Sequence, residues 1–224
     1  MSDAQEEDSR AGETPPRFDD AFRARFVDLL RWRRDVRRFR PEPVDAALLD
    51  QFLALANLAP SVGLSQPWRF VWVDDPERRK AVRENFEACN AEALANLSTD
   101  RAATYAKLKL AGLDEAPHHL ALFAEPDPAQ GHGLGRRTMP ETVHYSAAMA
   151  AHTLWLAARG HGVGVGWVSI LDPAALAQCL DVPIDWLFVG YFCVGYPAAE
   201  HETPELERHG WERRRGEAAE ALRR

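Results

Sequence analysis

The segment from Glu141 to Arg159 is apolar nearly all the way round a helix. A helix without a solvent face must lie inside a fold, covered from several sides. Its most apolar run, Tyr145 to Ala158, is shorter than a membrane span and carries His152, so it is expected to be buried in protein rather than lipid.

The covering comes from strands. RFVWVDD from Arg69 and HLALFAE from His119 combine aromatic and β-branched residues and end at turn signals. GVGVGWVSIL from Gly162 and DWLFVGYFCVGYP from Asp185 read as two more strands, with the short helix DPAALAQCL between them. Upstream, Phe22, Phe26, Leu29 and Leu30 share a helix face. A second amphipathic helix follows Asp45, a plausible N-cap, and stops before Pro60. Glu77 to Leu110 reads as a long charged helix broken near Leu97-Ser98-Thr99, and PDPAQGHGLGRRTMP as a loop long enough to be a functional flap. Helices alternating with four strands predict an α+β domain of two or three layers.

Residues 1–17 are expected to be a disordered acidic arm, residues 18–215 the folded domain, and 216–224 a C-terminal tail. The stretch after Pro197 has little apolar content before Trp211, so it is expected to wrap on another surface, such as a partner subunit. No apolar leader is visible at the N-terminus. Three scattered cysteines without metal-ligand spacing predict reduced thiols, a cytoplasmic location and no metal.

The formal net charge of −7 argues against a nucleic-acid binder, which makes RRDVRRF, Arg33 to Phe39, conspicuous. Arginine forks grasp phosphate bidentately, so a local cluster in an acidic chain suits one small anionic ligand. On a helix end, Arg33 and Arg37 would share a face. Asp35 would then point about 200° away from Arg33, toward another part of the ligand or a neighbouring arginine. The turn APSVGLSQPWRF adds the polar groups of Ser61, Ser65 and Gln66 before a strand, either for a ligand ring or for a self-contained loop network.

Three other motifs lead nowhere. GHGVGVG has a helix before it and a strand after it, the reverse of a dinucleotide fingerprint. His118-His119 lacks a paired carboxylate frame, and Ser169 lacks a nucleophile elbow.

RRDVRRF, APSVGLSQPWRF, YAKLKLAGLDEAP, MPETVHYSAAMAAHTLWLAARGHGVGVGWVSILDP and the ending GYP…PELERHGWERR occur in this order. Together they resemble the flavin-dependent nitroreductase-like superfamily, and within it the 5,6-dimethylbenzimidazole synthase branch, over roughly residues 25–215. Ordinary nitroreductases usually carry Ser or Thr where Asp35 stands. Arg38 is a departure, since relatives of that branch tend to carry His there.

The resemblance implies a nitroreductase-like three-layer α/β/α sandwich with a central, mostly antiparallel sheet. It also implies an intertwined homodimer with FMN at its interface. Arg33, Arg34 and Arg37, with Val36 between them and Arg214 from the tail, would hold the FMN phosphate and ribityl chain. Ser61, Ser65 and Gln66 would approach the ring, Leu110 would line it, and residues 85–116 would form a lid. Asp35 would be the acid/base and Ser169 would orient the reacting ring. The implied reaction fragments reduced FMN with O2 into 5,6-dimethylbenzimidazole, the cobalamin lower ligand, and erythrose 4-phosphate. A separate NAD(P)H-dependent flavin reductase would supply the reduced FMN. The competing readings are an NAD(P)H-dependent nitroreductase or flavin reductase, and a flavin-binding protein without turnover.

Overall fold

The computed structural model describes residues 14–95, 111–216 and 221–224. Helix α1 (Asp20–Trp32) starts at Asp19, whose carboxylate accepts the Phe22 N–H. Helix α2 (Ala46–Ala56) starts at Asp45, which accepts from Ala47 and Leu48, as the sequence predicts. Next come β1 (Trp68–Trp72), α3 (Pro76–Ala95), the one-turn α4 (Gly112–Glu115) and β2 (His118–Ala124). The chain continues with α5 (Thr142–Gly160), β3 (Gly164–Val168), α6 (Pro173–Leu180), β4 (Leu187–Gly195) and the one-turn α7 (Glu205–Arg208).

The sheet is antiparallel in the order β1-β2-β4-β3. Alternate residues of β2 and β4 feed two separate cores. Leu120, Leu122, Phe192 and Val194 pack with α2 and α5, including Phe52, Ala147 and Leu154. Ala121, Phe123, Tyr191 and Cys193 pack with Val82 of α3 and Leu176 of α6 on the opposite face. Helices on both faces make the α/β/α sandwich.

Two expectations change. Helix α5 is not closed on every side, because Tyr145, Met149 and His152 form an exposed stripe at helical spacing. Beside it, α1 buries none of its residues, and Phe22, Phe26 and Leu30 remain open. The 126–140 loop is docked rather than free-standing: Gln130 Nε2 donates to the Leu64 carbonyl and to Gln66 Oε1. A Cβ on Gly131 would lie 2.5 Å from the Gly63 oxygen, so that contact needs glycine. The expected break at Leu97-Ser98-Thr99, most of the 1–17 arm and part of the 216–224 tail fall outside the described residues.

Candidate functional site

Helix α1 ends at Trp32, one residue before the arginine cluster, and Arg33 is already extended (φ −67°, ψ 116°). The helix-face geometry expected for Arg33 and Arg37 is therefore wrong. Residues 33–39 run as an extended strap against the open edge of β3. Val36 N–H donates to the Val165 carbonyl, and Asp35 Oδ1 accepts the Trp167 N–H at 2.8 Å. In an extended chain i and i+2 project to the same side, and Asp35 Oδ2 accepts from Arg37 Nε at 3.3 Å. Asp35 thus pairs with a neighbouring arginine, and the partner is Arg37 rather than Arg31 or Arg38.

Glycine makes this approach possible. A Cβ on Gly166 would lie 2.1 Å from the Val36 carbonyl oxygen, and one on Gly164 would lie 2.8 Å from a Val36 methyl. The GVGVG run that mimics a dinucleotide fingerprint is a bed for the arginine strap. Phe39 then enters the second core, 4% exposed.

The start of the strap is held by α5. Trp155 Nε1 donates to the Arg34 carbonyl at 3.1 Å, and the Arg33 guanidinium lies 4.9 Å from the Trp155 ring centre. After β4 the chain runs back alongside, with Arg40 N–H donating to Tyr196 and Ala198 N–H to Arg38. That part of the tail therefore wraps on its own chain, because the strap offers unpaired backbone groups beside it.

Two of the cavities along the strap gather its charged side chains. One, of about 130 Å³, is lined by Arg33, Arg34, Asp35, Arg37, Glu205 and Arg214 among others. The other, of about 220 Å³, adds Val36, Arg38, His201, Thr203, Arg208 and His209. Arg214 thus lies beside the cluster, and so do Arg208 and His201, which the sequence reading did not single out, since an isolated charge in a polar tail carries no sequence signal.

The electrostatics suit an anion. Burial lowers the Arg33 and Arg34 pKa values, and Arg214 lowers both further; Arg33 adds to the effect at Arg34, while Asp35 partly opposes it at Arg33. Arg34 Nη2 is buried without a hydrogen-bond partner. A phosphate dianion would satisfy that group and relieve the repulsion among the arginines. Asp35 keeps 37% of its side-chain surface open. Protein packed around it raises its pKa, against the opposing pull of the Trp167 N–H and of Arg37.

The second half of the expected site lies elsewhere. Ser65, Gln66 and Asn57 line a different cavity with Arg69, Glu125 and Gln130. Ser61 Oγ accepts the Gln66 N–H, and Gln66 Nε2 donates to the Asn57 carbonyl, bonds that shape the loop. Ser65 Oγ is buried and unpartnered. Neither strap cavity includes Ser61, Ser65, Gln66 or Ser169. Ser169 is exposed just beyond β3, two residues after Trp167. Residues 96–110 of the expected lid, Leu110 among them, lie outside the described residues.

The nitroreductase family model matches residues 30–196, from the end of α1 to the residue after β4. The chain belongs to the nitroreductase family. Among members of this family, it is 56% identical over 202 residues to a 5,6-dimethylbenzimidazole synthase of Rhodospirillum rubrum, covering 90% of this chain and 96% of that one. A 5,6-dimethylbenzimidazole synthase of Rhodobacter capsulatus is 49% identical, covering 87% and 94%. In fold, this nitroreductase-family chain is similar to an iodotyrosine deiodinase crystallised with FMN and 3-iodo-L-tyrosine. That match has a TM-score of 0.67 and 24% identity, over 88% of this chain and 97% of the other. A nitroreductase-like protein of Streptococcus mutans gives a TM-score of 0.63 at 18% identity, over 83% and 96%.

Proposed function

We propose that this protein is an oxygen-dependent 5,6-dimethylbenzimidazole synthase that acts on reduced FMN. The observation that carries the reading is the buried, unpartnered Arg34 Nη2 within a cluster of guanidiniums that repel one another. Relatives named for this activity at 56% and 49% identity supply the reaction class. When bound, reduced FMN supplies both the electrons for O2 and the carbon skeleton that becomes 5,6-dimethylbenzimidazole and erythrose 4-phosphate.

Arg33, Arg34, Arg37 and Arg214 hold the phosphate, with Val36 fixing the strap between them. Asp35 is the acid/base: it is held in place by Trp167 and Arg37, and burial raises its pKa above the ordinary aspartate value. Ser169 orients the reacting ring, and Leu110 with the 85–116 lid excludes water.

Ser61, Ser65 and Gln66 meet the same flavin from a second copy of the chain. The open apolar stripes of α1 and α5 support a homodimer of that kind, with each flavin site shared. A separate NAD(P)H-dependent flavin reductase supplies reduced FMN in the cytoplasm.

The test is to mix the pure protein with reduced FMN under nitrogen, admit air, and look for 5,6-dimethylbenzimidazole by chromatography and mass. Its appearance is the expected result. Recovery of only oxidised FMN and hydrogen peroxide would move the reading to an ordinary flavin reductase.

A further inference from the structure

We infer that Glu115 is a positioning residue for the flavin-binding strap. The inference rests on the reading that Arg33 to Arg37 grasp FMN.

The strap is fastened along its length. Trp155 holds its start and the β3 edge holds its middle. Its end is held by α4, which lies 76 residues further along the chain. Glu115 Oε2 accepts the Phe39 N–H at 3.2 Å, and Oε1 accepts from Arg38 Nη1 at 3.1 Å. The backbone groups on either side of Phe39 are already paired with the chain after β4, through Arg40 N–H and the Arg38 carbonyl. The Phe39 N–H instead turns to the carboxylate.

The same turn of helix receives the Phe39 ring. A Cβ on Gly112 would lie 2.9 Å from Phe39 Cε2, so the ring seats there only because Gly112 has none. Helix α4 therefore grips Phe39 by its ring and by its amide at once. Asp114 ties α4 in turn to Arg83 of α3.

The Arg38–Glu115 ion pair contributes little, because Arg38 is well exposed (61%). The backbone bond matters more. Without Glu115, a half-buried N–H loses its acceptor, and one of the fastenings at the end of the strap is lost. The strap loosens there, and with it the placing of Arg37 two residues upstream.

Two substitutions separate position from charge. Glu115→Gln keeps an oxygen acceptor and removes the charge, while Glu115→Ala removes both. FMN affinity would be measured by flavin fluorescence titration, and strap order by hydrogen exchange at the amides of residues 35–39. The expected result is FMN binding about tenfold weaker in Glu115→Ala, with faster exchange at the strap. Glu115→Gln should stay within about twofold of the parent, since the exposed ion pair counts for little. Parent-like affinity and exchange in Glu115→Ala, or identical losses in the two variants, would overturn the inference. If the parent chain does not bind FMN, the function proposed above fails, and the exchange contrast between the two variants still decides the role of Glu115.

Discussion

Asp35 Oδ1 accepts the backbone N–H of Trp167 at 2.8 Å, so a side chain completes the open edge of β3 where another strand would otherwise pair. The same carboxylate presents its other oxygen to Arg37. One residue thus fastens the arginine strap to the sheet and carries the charge proposed for catalysis.

These two duties separate on substitution. Asp35→Asn keeps an oxygen for Trp167 but lacks the charge, so reduced FMN should still bind while 5,6-dimethylbenzimidazole disappears. Asp35→Ala should in addition destabilise the fold by about 1–3 kcal/mol, the cost of an unsatisfied N–H. Product analysis and urea unfolding measure the two effects. Normal product yield from Asp35→Asn would remove the acid/base role.

Gly166→Ala should be the most damaging glycine substitution in the strap bed. Its Cβ would meet the Val36 carbonyl at 2.1 Å, and backbone cannot swing aside as a side chain can. A loss of about 1–3 kcal/mol, or more, with FMN affinity falling in parallel, is expected from overpacking. Gly164→Ala should be milder, because it meets a valine methyl. Equal effects in thermal melts and FMN titrations would show that the strap is not seated as described.

A shared flavin site predicts complementation between chains. Arg37→Ala and Gln66→Ala should each lose product formation when pure. Unfolding and refolding the two together should restore about a quarter of the parent's sites, since half the dimers are mixed and each has one intact site. No recovery in a mixture shown by mass to contain mixed dimers would place all the flavin-binding groups on one chain.

Acid stability should be governed by a group remote from the site. His119 is buried with Nδ1 2.8 Å from the Tyr191 hydroxyl, and burial, reinforced by Arg79, pushes its pKa down to about 3. A folded state that binds the proton less readily than the unfolded chain loses stability as pH falls from 6.5 toward 3. The slope should approach about 1.4 kcal/mol per pH unit within that window. His119→Asn should flatten it. Asp35 acts in the opposite sense, because its raised pKa favours the fold at low pH and loses that contribution as pH rises beyond the ordinary aspartate range. Urea titrations at stepped pH give both slopes; an unchanged slope in His119→Asn would exclude the histidine.

The sequence by itself determined the secondary-structure elements and the charge pattern at the candidate site. Four strands, the cap at Asp45, the long apolar helix and a phosphate-suited arginine cluster all rest on patterns that repeat over a few residues, and local chemistry enforces them. What only the tertiary structure decided was the conformation and company of that cluster. Helical spacing puts Arg33 and Arg37 on one face, yet the β3 edge draws the segment out as a strap and turns Asp35 back toward Arg37. The partners responsible, Trp155, Trp167 and Glu115, lie 121, 132 and 76 residues from the groups they hold. No periodicity spans such separations. Unpaired backbone at a sheet edge and glycines that allow close approach set the strap's position, and both act only once the sheet has formed.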